Sequence, residues 1–274
     1  TLTGEWLTTG LVLRFSQRNQ WTINPSWTRV LAEKLSFQGL FQFSDTRYQD
    51  GVRFGLVDYQ VFGGSGGFLY HATERDEIQL LGTYTNFHTI NAPFGLRATV
   101  PGVMLNVTHT FTETMKGTLY GGPRFISSNT QLGGASQTTR DTIWVYGAVL
   151  TKEFESARLE FTLARDIFPS GFGLLVQTER VGLLASYDLT ERLSLDNSAY
   201  NVSAASPLAR GGTLTENRLF YTTPMAAWKL SDWWKLEISY SYRWRDVQGL
   251  EEPITSNSMM FMLTYFPKKL AISN

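Results

Sequence analysis

Trp234-Lys235-Leu236-Glu237-Ile238-Ser239-Tyr240-Ser241-Tyr242-Arg243-Trp244-Arg245 alternates apolar and polar residues at every step. A period of two marks a β-strand, because successive side chains leave opposite faces of the pleat. The same alternation recurs at Leu35, Phe37, Gly39, Phe41 and Phe43 against Ser36, Gln38, Gln42 and Ser44. It recurs again at Val103, Leu105 and Val107 against Asn106, Thr108 and Thr110. Around 143–150 both faces are apolar. No segment carries a sustained helical stripe with caps, so the expectation is an all-β chain with essentially no helix.

Alternation suits a soluble sandwich as well as a membrane wall, and the aromatic positions separate the two. Trp234 and Trp244 bracket one strand, while Phe111, Phe154 and Tyr187 stand beside turns. Aromatic residues at strand ends form the girdles of a membrane interface, whereas a sandwich places them mid-strand in its core. The opposite face carries Arg14, Gln38, Asn106, Arg124, Arg158, Glu160, Arg180, Asp196, Lys235, Glu237 and Arg243. An apolar outer face with aromatic ends and a polar inner face predict a transmembrane antiparallel up-and-down β-barrel in the bacterial outer membrane. No apolar run approaches the roughly 18 residues of a spanning helix, but spanning strands need only about 9–11.

Short polar turn signals recur at Ala32-Glu33-Lys34, Thr73-Glu74-Arg75-Asp76, Thr112-Glu113-Thr114, Lys152-Glu153-Phe154-Glu155, Thr190-Glu191-Arg192 and Ser231-Asp232. Their period of roughly forty residues would suit propeller blades, but each interval holds only two long strands and one longer connection. The longer connections, rich in Gly, Pro, Ser and Asn, are expected at 45–55, 89–100, 129–141, 168–173, 203–217 and 247–256. Short turns at one end and long loops at the other is the asymmetry of an outer-membrane barrel. A further loop near Arg18 to Gln20 brings the expectation to about fourteen strands in one domain over 1–274. Strands are expected from about 5 to 266, with 267–274 a periplasmic tail. The Gly-rich stretch 57–72 reads as one strand with a bend or tight barrel corner at Gly63, Gly64, Gly66 and Gly67.

Composition limits the chemistry. The 274 residues are 42% hydrophobic, and Lys+Arg 24 balances Asp+Glu 24, so no electrostatic attraction favours nucleic acid. With no Cys and only His71, His88 and His109, a disulfide framework, a closed zinc site and a CxxCH haem attachment are absent from the sequence. None of the histidines has a serine and an orienting partner at suitable spacing, so catalysis is not expected, and neither is a cofactor or metal.

The lumen candidates are Arg14, Tyr120, Arg124, Arg158, Glu160, Arg165, Gln177, Arg180, Asp196, Lys235, Glu237, Arg243 and Arg245. Tyr120 with Arg124, and Arg243 with Arg245 and Glu237, form sets that suit ring faces and hydroxyls of a sugar. Mixed signs point to a weakly selective, porin-like passage for polar solutes. The alternative is that these residues pair with one another and brace the wall.

The segment Arg165-Asp166-Ile167-Phe168-Pro169-Ser170-Gly171-Phe172-Gly173-Leu174-Leu175-Val176-Gln177-Thr178-Glu179-Arg180, with 187–195, resembles proteobacterial outer-membrane barrels associated with exopolysaccharide export systems. The stretches 25–44 and 56–85 are similar to the same proteins, although only the Pro-Ser-Gly-x-Gly segment is distinctive. The resemblance implies a channel or accessory for polysaccharide secretion, with polysaccharide export proteins as partners. The aromatic-ended strand Met259, Phe261, Leu263, Tyr265 and Phe266 resembles the terminal strand that such barrels present to the insertion machinery. Outer-membrane lipid and lipopolysaccharide are the expected surroundings. The competing expectation is a structural barrel sheathing a periplasmic or extracellular partner, as in a porin-cytochrome conduit. The 169–173 turn is expected either as a plain external hairpin with Gly171 and Gly173 at positive φ, or folded inward to present Arg165, Gln177 and Arg180.

Overall fold

The computed structural model describes residues 17–90, 95–132, 135–205, 217–247 and 251–266. Fourteen strands form one antiparallel sheet. The first seven are β1 (Arg18–Ile23), β2 (Ser26–Ala32), β3 (Leu35–Tyr48), β4 (Asp58–His71), β5 (Asp76–Ile90), β6 (Gly95–Thr112) and β7 (Met115–Leu132). The rest are β8 (Ala135–Glu153), β9 (Ala157–Pro169), β10 (Leu175–Thr190), β11 (Leu193–Ala205), β12 (Asn217–Lys229), β13 (Trp234–Val247) and β14 (Ile254–Tyr265). From β3 onward every strand pairs with its successor, the up-and-down order expected of a barrel. Among the described residues the helical content is one 3₁₀ turn, Gly51–Phe54, and no helix is long and apolar enough to cross a membrane.

The start of the sheet corrects one expectation. Arg18 to Gln20 is not a loop: β1 and β2 both pair with β3, end to end, with Ile23 opposite Phe43 and Ser26 opposite Leu40. The break falls at Pro25, which has no N–H to give the ladder, although its carbonyl accepts the Phe41 amide at 3.0 Å. The polar residues that suggested a loop are the inner face of a strand. Gln20 donates to Ser44 Oγ at 3.0 Å and Arg18 to the Tyr59 hydroxyl at 3.3 Å, while Trp21 and Ile23 point outward, 77% and 58% exposed. Because β1 and β2 share one position, the described residues fill thirteen places in the sheet. The expected first strand, near Trp6, and Arg14 with it, lie outside the described residues, as does the tail 267–274.

The Gly-rich stretch is one strand, β4, as expected. Its glycines allow neighbouring backbones to come close: a Cβ on Gly64 would lie 2.6 Å from the Leu40 carbonyl oxygen, and Gly63 and Gly67 meet the backbone of β5 in the same way. Any side chain there would push the strands apart. The sheet curls enough that β4, β5, β6, β7, β9 and β10 all line one internal cavity of about 80 Å³.

Curling defines the faces. Leu80, Val103, Leu105, Leu119, Phe161 and Leu183 point outward and are 42–63% exposed, far more apolar surface than water tolerates in one belt. Two of the expected long loops are mostly ladder. Asn129 pairs with Thr138 and Ser128 with Thr139, so β7 and β8 form a hairpin that outlasts the bilayer span; β5 and β6 likewise pair as far as His88 and Arg97. Polar strand extensions and loops share a composition once both are beyond the lipid, which is why the sequence read them alike.

Candidate functional site in the lumen

The inner face changes character along the barrel. At the short-turn end the polar side chains brace one another. Gln38 lies opposite Gly67, which has no side chain to intervene. Across it Gln79 donates to Gln38 at 2.5 Å, and Asn106 donates to Gln79 at 2.6 Å. Arg158 pairs with Glu160 at 3.0 Å and Lys235 with Glu237 at 2.6 Å, each two residues apart on one strand face. Glu237 is therefore held by Lys235 rather than joining Arg243 in a sugar-binding set. Asp196 lines a depression of about 440 Å³ with Arg158 and Glu160.

At mid-height, Tyr120, Gly147, Ala164 and Arg180 follow one another across β7, β8, β9 and β10 as direct partners. The small residues make room: the Tyr120 phenol lies where a Cβ on Gly147 would be. Tyr200 covers Gly182 in the same manner, 2.6 Å from the Cβ that an alanine would add, and stacks on Tyr221 with ring centroids 5.0 Å apart and planes at 25°. Tyr221 is in turn opposite Arg243. Arg124 crosses Gly102 to donate to Thr83 Oγ1, and its charge, like that of Arg180, acts on Asp166. Arg245 Nε donates to Asn217 Oδ1 at 3.1 Å.

The long-loop end is dry. Tyr59, Val61, Phe87, Ala98, Val100, Ile126 and Val145, all inward, form one apolar cluster with Leu175 at the end of β10, and in it Phe87 and Ala98 are wholly buried. Two loops fold in over it. Leu56 joins the cluster from the β3–β4 loop, and Phe172 and Leu174 pack against it from the β9–β10 loop. The loops are tied by a 2.7 Å hydrogen bond from the Val57 amide to the Gly171 carbonyl. The β9–β10 loop is itself closed by Ser170, which binds the Leu174 carbonyl through its amide at 2.9 Å and its hydroxyl at 3.0 Å. The positive φ falls at Gly173, not at Gly171.

The inward turn does not present all three residues expected of it. Arg180 faces the lumen, but Arg165 and Gln177 lie on the outer face. Arg165 is opposite Glu179, 3.6 Å from its carboxylate, and its guanidinium stands 5.8 Å from the Tyr146 ring centroid. Gln177 and Arg180 are three residues apart on an uninterrupted strand, so parity separates them.

The girdle residues Phe111, Phe154, Tyr187 and Trp234 are 42–52% exposed beside the short turns, with Trp244 toward the opposite end of β13. Sequence reading missed Trp228, and it named Trp234 and Tyr265 without pairing them, although their rings are 4.8 Å apart at the same rim. It also missed Asp166, Tyr200 and Tyr221, although Tyr200 shares the parity of Asp196. The apolar closure had one signal, the two-sided apolar run at 143–150, whose Ile143 and Val145 point inward.

Solved structures with this architecture are outer-membrane proteins. The copper transporter OprC superposes with a TM-score of 0.63 at 13% identity, over 91% of this chain and 50% of that one. The alcaligin outer-membrane receptor FauA from Bordetella pertussis gives 0.55 at 13% identity, over 92% and 52%. The FrpB iron transporter from Neisseria meningitidis gives 0.55 at 11%, over 83% and 44%. The chain has the fold of a bacterial outer-membrane β-barrel. Its exposed apolar belt and aromatic rim belong in that membrane. The chain spans about half the length of these structural relatives. No protein-family model matches the sequence, and no curated protein matches it.

Proposed function

We propose that this chain is an outer-membrane channel for polar solutes, saccharide chains among them, closed at its long-loop end by two inward loops. The observation that carries the reading is the Val57–Gly171 hydrogen bond over the apolar cluster, above a lumen lined with polar side chains from mid-height to the short turns. A wall built only for strength has no use for loops that reach inside and meet. The contact between the loops is far smaller than the ladders that join the strands, and so is the part of the barrel suited to opening. The saccharide preference rests on the resemblance of 165–180 to barrels of exopolysaccharide export. Export proteins as partners, lipopolysaccharide around the wall and delivery by the barrel insertion machinery belong to the same proposal.

The test is planar-bilayer recording of the purified barrel. The reading expects intermittent step-like currents, and their reduction by oligosaccharide. A barrel silent in wild-type form and also after removal of 170–174 would be a structural barrel. That second reading is favoured by the dry loop end, and would hold the protein as a sheath or scaffold for a partner.

A further inference from the structure

The register across β9–β12 lays out the short-turn half of the inner wall as a grid. Arg158, Ser186, Asp196 and Met225 are direct partners in one row, and Glu160, Leu184, Ser198 and Thr223 form the next. The row beyond, toward the long-loop end, holds Gly182, Tyr200 and Tyr221. Short side chains in the middle are bounded by the long Arg158–Glu160 pair on β9 and by the stacked rings of Tyr200 and Tyr221. That contrast in length hollows the wall into the depression of about 440 Å³.

Several of its polar groups are not used by the wall. Arg158 is neutralised by Glu160 at 3.0 Å, and the Thr223 hydroxyl lies 3.3 Å from that of Ser241. Asp196, two strands from Arg158, has no hydrogen-bond or ion-pair partner among the described residues, and neither have the hydroxyls of Ser186 and Ser198. Leu184 and Met225 remain half-buried apolar side chains on this otherwise polar wall.

We propose that the depression is a binding subsite for a saccharide segment without acidic groups. Asp196 accepts O–H or N–H donors of the sugar, Ser186 and Ser198 bond further hydroxyls, and Leu184 with Met225 meets the CH face of a ring. A carboxylate without a donor gains from a ligand that brings one, and hydrogen bonds to a charged acceptor are the stronger kind. With Arg158 neutralised, Asp196 leaves the depression net negative, so it repels uronic acids and phosphorylated sugars. An apolar floor with a few convergent polar groups in a hollow of this size is the make-up of a small-molecule site. From β9 to β12 it spans three strand spacings, about 14 Å, room for a short run of sugar rings. This places a solute and its class within the channel proposed above, and rests on the lumen being reachable from its short-turn end, but not on the loop end opening.

Calorimetric titration of the full chain in detergent tests it, with malto-oligosaccharide as the hydroxyl probe, glucosamine oligosaccharide as the amine probe and oligogalacturonate as the acidic control. At least one of the first two is expected to bind, and Asp196→Asn should weaken it tenfold or more, about 1.4 kcal/mol. Ser198→Leu fills the hollow without changing its charge and should weaken binding as much, with heat-modifiable migration unchanged in both variants. It serves as well where the asparagine variant does not fold. Oligogalacturonate binding, wherever in the barrel it occurs, should not weaken in Asp196→Asn. The tighter of the two non-acidic probes tells whether Asp196 takes a hydroxyl or an ammonium group. Failure of both to bind, full affinity in Asp196→Asn, or an equal loss of oligogalacturonate binding there overturns the proposal. A barrel that binds these sugars but never conducts overturns the channel reading alone; one that conducts but binds neither overturns this inference alone.

Discussion

The amide of Val57 donates to the carbonyl of Gly171 at 2.7 Å, joining two loops that are 114 residues apart in sequence and lie on opposite sides of the curled sheet. Phe172 is the side chain that turns this bond into a closure, since it packs against the apolar residues on both sides of the loop. Phe172→Ala should remove roughly 1.5–3 kcal/mol of loop docking. The open fraction in single-channel recording is then expected to rise about tenfold or more, with heat-modifiable migration unchanged. An unaltered open fraction would mean that the loops are not the gate.

Tyr120 and Gly147 form a pair in which the ring occupies the space of the missing side chain. Gly147→Val should cost about 1–3 kcal/mol through overpacking. Combining it with Tyr120→Ala should recover part of that loss, because the two changes share one volume. Urea unfolding in detergent gives both numbers. Strictly additive losses would show that the ring does not depend on the glycine.

How much of this was legible in the sequence depends on which face a residue takes. The outer face announced itself in β13, where Trp234, Leu236, Ile238, Tyr240 and Tyr242 alternate without interruption, although Arg165 and Glu179 show that it also carries charge. The inner face obeys a looser rule, since polar or apolar residues serve depending on whether water or a loop covers them. Val61, Phe87, Val100 and Ile126 are inward yet apolar, so the closure was hidden among residues indistinguishable from lipid-facing ones. Arg18 to Gln20 failed for the converse reason, an inner polar face read as a turn. Tyr200 and Tyr221 needed the register between strands, which no single-strand pattern contains.

Leu105 and Asn106 are adjacent but belong to the outer belt and the inner wall respectively. Leu105→Arg should therefore cost about 2–4 kcal/mol if the residue lies near the bilayer midplane. Asn106→Arg forfeits the hydrogen bond to Gln79, and should cost only about 1 kcal/mol. Equilibrium unfolding of the two variants in lipid vesicles decides; equal costs would contradict the assignment of faces.

Arg165 and Arg180 provide the sharpest contrast between a sequence expectation and the structure. Both were expected to meet a passing solute, yet Arg165 lies outside against Glu179 and Tyr146, and Arg180 lies within. Arg165→Gln loses a half-exposed ion pair and a ring contact, so its effect on stability should stay within about 1 kcal/mol. Its effect on ion selectivity should be nil, because the lumen does not see the charge. Arg180→Gln removes one of the charges that set the inner potential, and the reversal potential measured across a salt gradient should move toward cation preference. Arg165→Gln is thus the control for Arg180→Gln, matched in chemistry and in position along the barrel. A shift of equal size in both variants would place both side chains on the same face, and with it the parity of β9 and β10 would be wrong.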